Sequence, residues 1–458
     1  MTERRYLKWY NKIGYGSGDV AGNVVYAFLS TFMMFYLTET IGMDVGIVGT
    51  LMALSKLFDG VTDIFFGTLI DKTHTKMGKA RPWMLYGYIG CAAALAAIFM
   101  VPTHWGEKAQ YAYFFVTYTL LNAVFFTANN IAYASLTALV TKNGAERVQL
   151  GSIRFIFAFS TSLLIQYITL DAVKFFGSGA QGWKMVAIIY AIIGLVVNTI
   201  SCLSVKELSS EELDETDDKQ LQEREEKYTM KQAAKLLFSN KYYLMICATY
   251  MGTQLYASAL NMGLYFMKFI LGNEDLLGDF SLAINIPLII GLLITPTLVR
   301  KMGGMYKINL IGYVIAVLGR ALVIVAGYMG NVPLMLAFTA LAAFGTSPLQ
   351  GDLNALIAAC SEYTFHTQGK RIDGTMYSCS SFGIKVGGSL GTAVCGWLLD
   401  AAGFIEQAAV QTASAVNMLH VLYLWLPMFL NIFVMLVLSR LKVEKANAQL
   451  ILKKNHCG

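Results

Sequence analysis

A chain of 458 residues that is 56% hydrophobic and 14% charged does not have the composition of a soluble domain, which carries about 25% charged residues. The net charge of +6 does not indicate a nucleic-acid-binding protein, because the basic residues lie in short loops between apolar runs. The seven cysteines show no spacing typical of a disulfide framework or a metal site. We therefore expect a membrane protein that lies in a lipid bilayer and binds no nucleic acid.

Apolar runs long enough to cross a bilayer, about 20 residues each, occur twelve times along the chain. They cover residues 13–39, 45–70, 82–102, 109–138, 149–170, 184–205, 242–271, 280–299, 308–328, 332–360, 374–400 and 416–439. We predict an all-α protein of twelve transmembrane helices in two pseudo-symmetric halves. The predicted parts are a first half 1–205, a central loop 206–241, a second half 242–440 and a tail 441–458.

Lysine and arginine residues concentrate on one side of the predicted membrane. They lie in the amino terminus, the even-numbered loops and the tail, whereas the opposite side has only Lys108, Lys174 and Lys184. Because loops rich in Lys and Arg stay in the cytoplasm, both termini and the central loop are predicted to be cytoplasmic.

The first span combines glycines with a polar stripe. Gly14, Gly16 and Gly18 permit close helix contact or an irregular backbone. Asp19, Asn23 and Tyr26 share one helix face, which packing alone explains poorly.

The second span is apolar except for Lys56, Asp59, Thr62 and Asp63, which share one helix face. A charged group at bilayer depth costs at least about 2.5–3.5 kcal/mol, so such residues usually mark an ion or substrate pathway. Two carboxylates one turn apart must share a proton, pair with a cationic side chain or bind a cation. This pattern predicts a cation-coupling site, in which Lys56 is either a pathway residue or a counter-ion.

The loop after the second span, which contains Asp71 and Arg81, has a degraded counterpart at Val299 to Lys307. This faint repeat supports two equivalent halves, the plan of a secondary transporter with its site between them. Arg81 is expected to pair with Asp71 or to face the carboxyl ends of helices, where the dipole favours cations.

Polar residues also occur in the fourth and fifth spans. The amides of Asn129 and Asn130 are either contacts between helices or ligand-binding groups. Arg154 needs an anionic or carbonyl partner, so it is either half of a structural ion pair or a group that binds a ligand.

Several charged residues of the second half have two interpretations each. Pro348 is predicted to break the tenth span, where Asp352 either lines a cavity or pairs with Arg320 or Lys268. The next loop contains three further charged residues that either form gating salt bridges or are solvated; they are Glu362, Arg371 and Asp373. In the eleventh span, Lys385 faces the bundle interior or pairs with one of the carboxylates of span two.

No motif of an enzyme is present in the chain. Neither a Gly-x-Ser-x-Gly elbow nor a His-Glu-x-x-His motif nor a phosphate-binding loop occurs. We therefore predict that the protein is not an enzyme and uses no cofactor.

These motifs resemble the glycoside–pentoside–hexuronide:cation symporters of the major facilitator superfamily, over nearly the whole chain. The most specific matches are Phe58-Asp59-x-x-Thr62-Asp63, Gly78-Lys-Ala-Arg81-Pro82-Trp83, Gly369-Lys-Arg371-Ile-Asp373-Gly374 and Lys385-Val-Gly-Gly388. The resemblance implies the major facilitator fold and the cytoplasmic membrane of a bacterium. It also implies a functional monomer that imports a sugar together with Na⁺ or H⁺.

The resemblance assigns residues to two sites. The implied cation site consists of Asp59, Thr62, Asp63 and Thr127. The implied sugar contacts are Asp19, Asn23, Tyr26, Asn130, Arg154 and Lys385, with Lys385 also close to the cation site. The residues left to gating or structure are Lys56, Asp71, Arg81, Glu362, Arg371 and Asp373.

Departures from the family pattern limit the prediction of the sugar. Two carboxylates that hold the sugar hydroxyls in melibiose-transporting members fall at Asn23 and Asn130, so galactoside recognition does not carry over. The loss of two negative charges makes an anionic sugar easier to admit, and Gly18-Asp19-Val-Ala-Gly22-Asn23 is similar to glucuronide carriers. We therefore expect a glycoside importer, with a glucuronide or another hexuronide or pentoside among its candidate sugars. The alternatives are an amphiphile or lysolipid carrier on the same fold and a sugar sensor that does not transport.

Overall fold

The computed structural model describes residues 5–141, 144–208, 238–368 and 373–457. Within these ranges, all twelve predicted spans fall on helical segments. Eight helical stretches of this described part are long and apolar enough to cross a membrane. The charges of the second span did not prevent it from forming a single helix, because Lys, Asp and Thr side chains on one face leave the helical backbone bonds intact.

The chain divides into two compact units. The first consists of Met1–Asp217 and Gly396–Ala415, and the second of Asp218–Cys395 and Val416–Gly458. The helices of the first unit are α1 (Trp9–Gly16), α2 (Gly18–Phe35), α3 (Val45–Asp71), α4 (Arg81–Ile98), α5 (Glu107–Thr119), α6 (Thr127–Leu139), α7 (Gly144–Phe175) and α8 (Gly179–Ser204).

The second unit repeats this helical plan. Its helices are α9 (Lys241–Asn261), α10 (Gly263–Phe269), α11 (Leu276–Met302), α12 (Met305–Tyr328), α13 (Val332–Gln368), α14 (Asp373–Ala401), α15 (Ala413–His420), α16 (Leu426–Arg440) and α17 (Val443–Cys457). The last residues of α14 belong to the first unit by their contacts. The predicted tail contains α17, whose Asn447 donates to the backbone oxygen of Ala359 at 2.9 Å.

In the part of the chain that the structure describes, three spans contain a π-helical turn, at Tyr36–Ile41, Leu120–Phe126 and Val421–Trp425. A π turn holds one residue more than an α turn and often lies at a functional site. The segment Leu120–Phe126 joins α5 to α6 and therefore sets which side chains of α6 face α3.

The prediction that Pro348 breaks the tenth span was wrong. Helix α13 continues through Pro348, although this proline removes the backbone donor that would bond the oxygen of Phe344. The hydroxyl of Ser347 donates to that same oxygen at 2.7 Å. A side chain thus replaces the missing backbone bond, as membrane helices require.

Close approach of helices in the second unit depends on small residues. A Cβ at Gly312 would lie 2.4 Å from the backbone oxygen of Gly345, and one at Gly345 would lie 2.5 Å from that of Gly312. Without side chains at these two positions, α12 and α13 come into backbone contact, which favours packing where no hydrophobic effect acts between helices.

Partly buried glutamates accept hydrogen bonds from backbone amides at the starts of helices α4 and α12. Glu207 accepts from the backbone amides of Lys79, Ala80 and Arg81 at 2.7–3.0 Å. In the second unit, Glu444 accepts from the amides of Met305 and Tyr306 at 3.1 and 3.0 Å. Each carboxylate satisfies amides that lack an intrahelical partner and complements the positive end of the helix dipole.

Candidate functional site

The polar face of α3 is present as the sequence predicted. Lys56, Asp59, Thr62 and Asp63 are all partly buried. Lys56 lies close enough to Asp59 for electrostatic attraction between the two charges. The hydroxyl of Thr62 lies 3.1 Å from the backbone oxygen of Asp59 and 3.3 Å from that of Phe58, so it is tied to its own helix.

Helix α6 brings a hydroxyl against this face. Thr127, which is 3% exposed, forms a short hydrogen bond to the carboxylate of Asp59. The same hydroxyl lies 2.8 Å from the backbone oxygen of Asn122, inside the π turn that precedes α6. A threonine hydroxyl has one proton and cannot donate to both oxygens at full strength. If Asn122 receives that proton, the Thr127 oxygen and the Asp59 carboxylate need a proton or a cation between them.

Tyr118 of α5 is a neighbour that the sequence did not reveal. This tyrosine is 2% exposed and lies close enough to interact electrostatically with both Asp59 and Tyr26. Tyr118 therefore lies near both the carboxylate of α3 and the polar stripe of α2. A single tyrosine in a span rich in aromatic residues carries no signal that would have identified it.

Asp19 of α2 and Arg154 of α7, both predicted as sugar contacts, form an ion pair with each other. Nε of Arg154 donates to Oδ2 of Asp19 at 2.7 Å, and Nη2 lies 3.5 Å from Oδ1. The Tyr133 hydroxyl donates to the same Oδ2 at 2.9 Å, and the guanidinium lies 4.2 Å from the centre of the Tyr133 ring. The ion-pair interpretation of Arg154 is therefore correct for this structure.

The remaining predicted contacts of the first unit differ in exposure. Tyr26 is 59% exposed and Asn130 is exposed, whereas Asn23 is partly buried and donates to the backbone oxygen of Asp19 at 2.9 Å. Asn129 is 5% exposed and donates to the backbone oxygen of Met84 at 2.6 Å. Of the two adjacent asparagines, the structure leaves only Asn130 available to a ligand.

The other predicted residues are less closely defined. Lys385 of α14 is partly buried in the second unit. Glu362 lies 3.5 Å from the ring of His366 one turn later. Arg81 donates through Nε to the backbone oxygen of Cys202 at 3.1 Å. Arg371 and the side chains of Asp71 and Asp373 lie outside the described residues.

Asp352 is paired with neither of the partners proposed for it. Asn309 donates to Oδ2 of Asp352 at 3.2 Å. Arg320, which is fully buried, directs Nε and Nη2 to the hydroxyl of Tyr256 at 3.1 and 2.6 Å. Each of these two charged groups thus has a neutral partner. The positions of opposite charges along the sequence could not have indicated this.

Comparison with known proteins gives matches over nearly the full chain. Residues 14–445 match the family described as MFS/sugar transport protein. An isoprimeverose transporter of Lactiplantibacillus pentosus is 29% identical over 93% of this chain and 87% of its own length. A putative glycoside/cation symporter of Escherichia coli strain K12, YagG, is 28% identical over 97% and 95%. A glucuronide carrier protein homolog of the same strain is 26% identical over 90% and 87%.

Solved structures share the fold at low sequence identity. A bacterial homolog of the human lysosomal transporter Spinster has a TM-score of 0.72 at 12% identity, covering 95% of this chain and 97% of its own. A D-xylose–proton symporter has a TM-score of 0.65 at 12% identity, covering 93% and 96%. The predicted major facilitator fold is thereby confirmed.

Proposed function

This chain belongs to the MFS/sugar transport protein family, and we propose which of its residues perform the cation-coupled sugar symport that this membership and its relatives establish. The protein is a membrane transporter, not an enzyme, as the sequence predicted. The relatives are named as sugar transporters, which favours this function over an amphiphile carrier or a sensor.

The coupling cation binds at Asp59 and Asp63, assisted by Thr62 and Thr127. The observation that carries this proposal is the contact of the Thr127 hydroxyl with the Asp59 carboxylate. It places oxygen atoms from two helices side by side within the hydrophobic spans, where a bound cation would offset the cost of two buried carboxylates.

We favour Na⁺ over H⁺ as the coupling ion. A proton binds to a single carboxylate oxygen and does not require a set of surrounding oxygen ligands. A hard metal cation needs several oxygen ligands, and Thr62 and Thr127 are suited to supply them beside the aspartates. Lys56, close to Asp59, would act as a counter-ion that lowers the cost of the pair when the cation has left.

The transported sugar is a neutral glycoside that contacts Tyr26, Asn23 and Asn130, and Lys385 is a further proposed contact. The 2.7 Å ion pair between Arg154 and Asp19 supports this choice. Its guanidinium is already matched by a carboxylate, so a sugar acid would have to displace Asp19. A neutral sugar would instead bond the outer edges of the pair through its hydroxyls. A hexuronide is the second candidate, favoured by the resemblance to the glucuronide carrier homolog.

Coupling follows from the reciprocal effect of the two ligands. A cation at Asp59 would change the electrostatic field at Tyr118, which lies near both Asp59 and Tyr26. Because each ligand must change the affinity for the other by the same factor, sugar binding would tighten cation binding equally. Alternating access would come from movement of the two halves around the bound ligands.

The proposed setting is the cytoplasmic membrane of a bacterium, with both termini in the cytoplasm and a single chain as the functional unit. The concentration of Lys and Arg in the even-numbered loops supports this orientation. The proposed boundaries of the two halves are 1–205 and 242–440.

The test is sugar uptake into proteoliposomes by wild type and by Asp63→Asn, with and without an inward Na⁺ gradient. We expect the variant to lose accumulation against a gradient while it still exchanges sugar across the membrane. The matched control is Asp171→Asn, which changes an exposed carboxylate and should accumulate sugar like wild type. Accumulation by Asp63→Asn at the wild-type level would disprove the coupling role, and accumulation by wild type driven only by a proton gradient would replace Na⁺ with H⁺.

A further inference from the structure

A cavity of about 310 Å³ lies between the loop that precedes α4 and the end of α8. Its ionisable side chains are His74, Lys76, Lys79, Arg81, Lys206 and Glu207. All of them belong to the first unit, and none has a part in the cation or sugar sites. The volume falls within the range of small-molecule sites, about 300–1,000 Å³.

The single carboxylate of the cavity does not neutralise these cations. Oε2 of Glu207 accepts from the amide of Lys79, and Oε1 accepts from the amides of Ala80 and Arg81. Both oxygens are therefore used to cap α4. The three lysine ammonium groups form no hydrogen bond or ion pair with any residue that the structure describes. Three lysines and one arginine thus line one cavity. Its single carboxylate, that of Glu207, already accepts hydrogen bonds from backbone amides.

We propose that this cavity binds a phosphate group. Phosphate oxygens accept several charge-assisted hydrogen bonds at once, which suits a concave site where lysine and arginine side chains converge. The group would be either the headgroup of an anionic lipid or part of a soluble phosphorylated compound. Capping by Glu207 holds the backbone from Lys79 to Arg81 in place, so the points of attachment of these side chains keep their spacing without the ligand.

The shape of the loop depends on a glycine. Gly78 has φ of +113°, and a Cβ there would lie 2.3 Å from the carboxyl carbon of Glu207. The close approach of carboxylate and loop therefore requires a residue without a side chain. The equivalent loop of the second unit has the same arrangement around Gly304 and Glu444, and it supplies a matched control.

The experiment uses the full chain in nanodiscs of phosphatidylcholine and titrates it with pyrophosphate, against sodium sulfate at the same ionic strength. The pocket variant is Lys76→Gln with Lys206→Gln, two exposed side chains. The control variant is Lys301→Gln with Lys307→Gln, which removes the same charge from exposed positions of the other loop. A second series replaces part of the lipid with phosphatidylglycerol and omits pyrophosphate. Thermal stabilisation by the transported sugar verifies that each variant is folded.

We expect pyrophosphate to stabilise wild type more than sulfate does, with at least tenfold weaker binding in the pocket variant and less than twofold change in the control. Stabilisation only by phosphatidylglycerol, lost in the pocket variant, identifies a lipid headgroup as the source of the phosphate. The proposal is overturned if neither ligand stabilises wild type, or if both variants respond as wild type does. Because sugar uptake is measured separately, either result leaves the transport function unaffected.

Discussion

At the proposed sugar site of the first unit, Asp19 and Arg154 together would determine the net charge that the sugar meets. Separately, a buried aspartate would repel a sugar acid and an arginine would attract it. Paired at 2.7 Å, with a Tyr133 hydroxyl on the same carboxylate oxygen, they present a charge-neutral polar surface. We therefore expect the selectivity of the proposed site to depend on the pair more than on either residue.

Removing the negative charge of Asp19 should shift the selectivity of the proposed site toward sugar acids. In Asp19→Asn, Arg154 loses its charged partner, and we expect the affinity for a glucuronide to rise about tenfold relative to the matching neutral glycoside, or about 1.4 kcal/mol. Binding of both sugars to the purified protein, with and without Na⁺, measures this ratio. Asp171→Asn on the same helix as Arg154 is the control and should leave it unchanged. An unaltered ratio in Asp19→Asn would mean that neither residue meets the sugar.

The sequence identified these residues, but it did not show which of them are in contact. Polar residues in an apolar span are conspicuous, so Asp19, Asp59 and Arg154 could be selected from the sequence alone. Which of them meet depends on the packing of α2, α3 and α7, and no spacing along the chain expresses that. The proximity of Thr127 to Asp59 was implied only by family resemblance.

Helix α6 begins at a π turn, and this turn controls which side chains reach α3. The segment Leu120–Phe126 contains Asn122, whose backbone oxygen lies 2.8 Å from the Thr127 hydroxyl. Since successive residues of an α-helix are about 100° apart, the additional residue of the π turn determines the direction of every side chain that follows. Periodicity in the sequence could not show this, because the apolar run continues through the π turn.

Deleting Val124 should convert this turn to regular α-helix. We expect Thr127 and Asn130 to rotate by about 100°, which would abolish Na⁺-stimulated uptake and lower thermal stability. Val124→Ala, which keeps the number of residues, is the control and should retain uptake. Uptake and thermal unfolding of the purified proteins measure the two effects. Normal Na⁺ stimulation in a folded deletion variant would show that the π turn does not set the position of Thr127.

At the scale of the whole molecule, carboxylates secure chain segments outside the membrane spans. Glu146 is 3% exposed and accepts from the amides of Tyr6 and Leu7 at 3.1 and 3.2 Å. It also binds the Thr141 hydroxyl at 2.8 Å and the Lys12 ammonium at 3.1 Å. Burial alone would raise the pKa of Glu146, but these hydrogen bonds outweigh it and lower the pKa below its ordinary value of 4.5.

The lowered pKa predicts how acid affects stability. A carboxylate with a depressed folded-state pKa stabilises the protein fully above its unfolded-state pKa and loses this contribution as the pH falls through the folded-state value. Glu146→Gln should therefore destabilise the protein by about 1.5–3 kcal/mol at pH 7, with a smaller difference below about pH 4.5. Thermal unfolding from pH 3.5 to 8 measures this difference, and Glu107→Gln, at an exposed position, is the control. A pH-independent difference would assign the loss to packing instead of charge.

The overall architecture was predictable from the sequence, whereas its glutamate contacts were not. Twelve long apolar runs permit few structures other than helices, because a bilayer offers no partner for free backbone groups. Glu207 and Glu444 were overlooked since a single acidic residue after a span resembles any solvated loop residue. A repeated pattern could have identified these two glutamates. Each follows a lysine shortly after the last span of its half, Lys206 in the first half and Lys442 in the second.

That recurrence bears on the ancestry of the protein. Glu207 and Glu444 each bind the start of the third long helix of their half, beside a glycine with positive φ, Gly78 or Gly304. Two such arrangements, one in each half of the chain, are what the duplication of an ancestral six-helix gene would leave. On that origin, an ancestral six-helix chain would have closed its end on its own third helix before it was joined to a copy of itself.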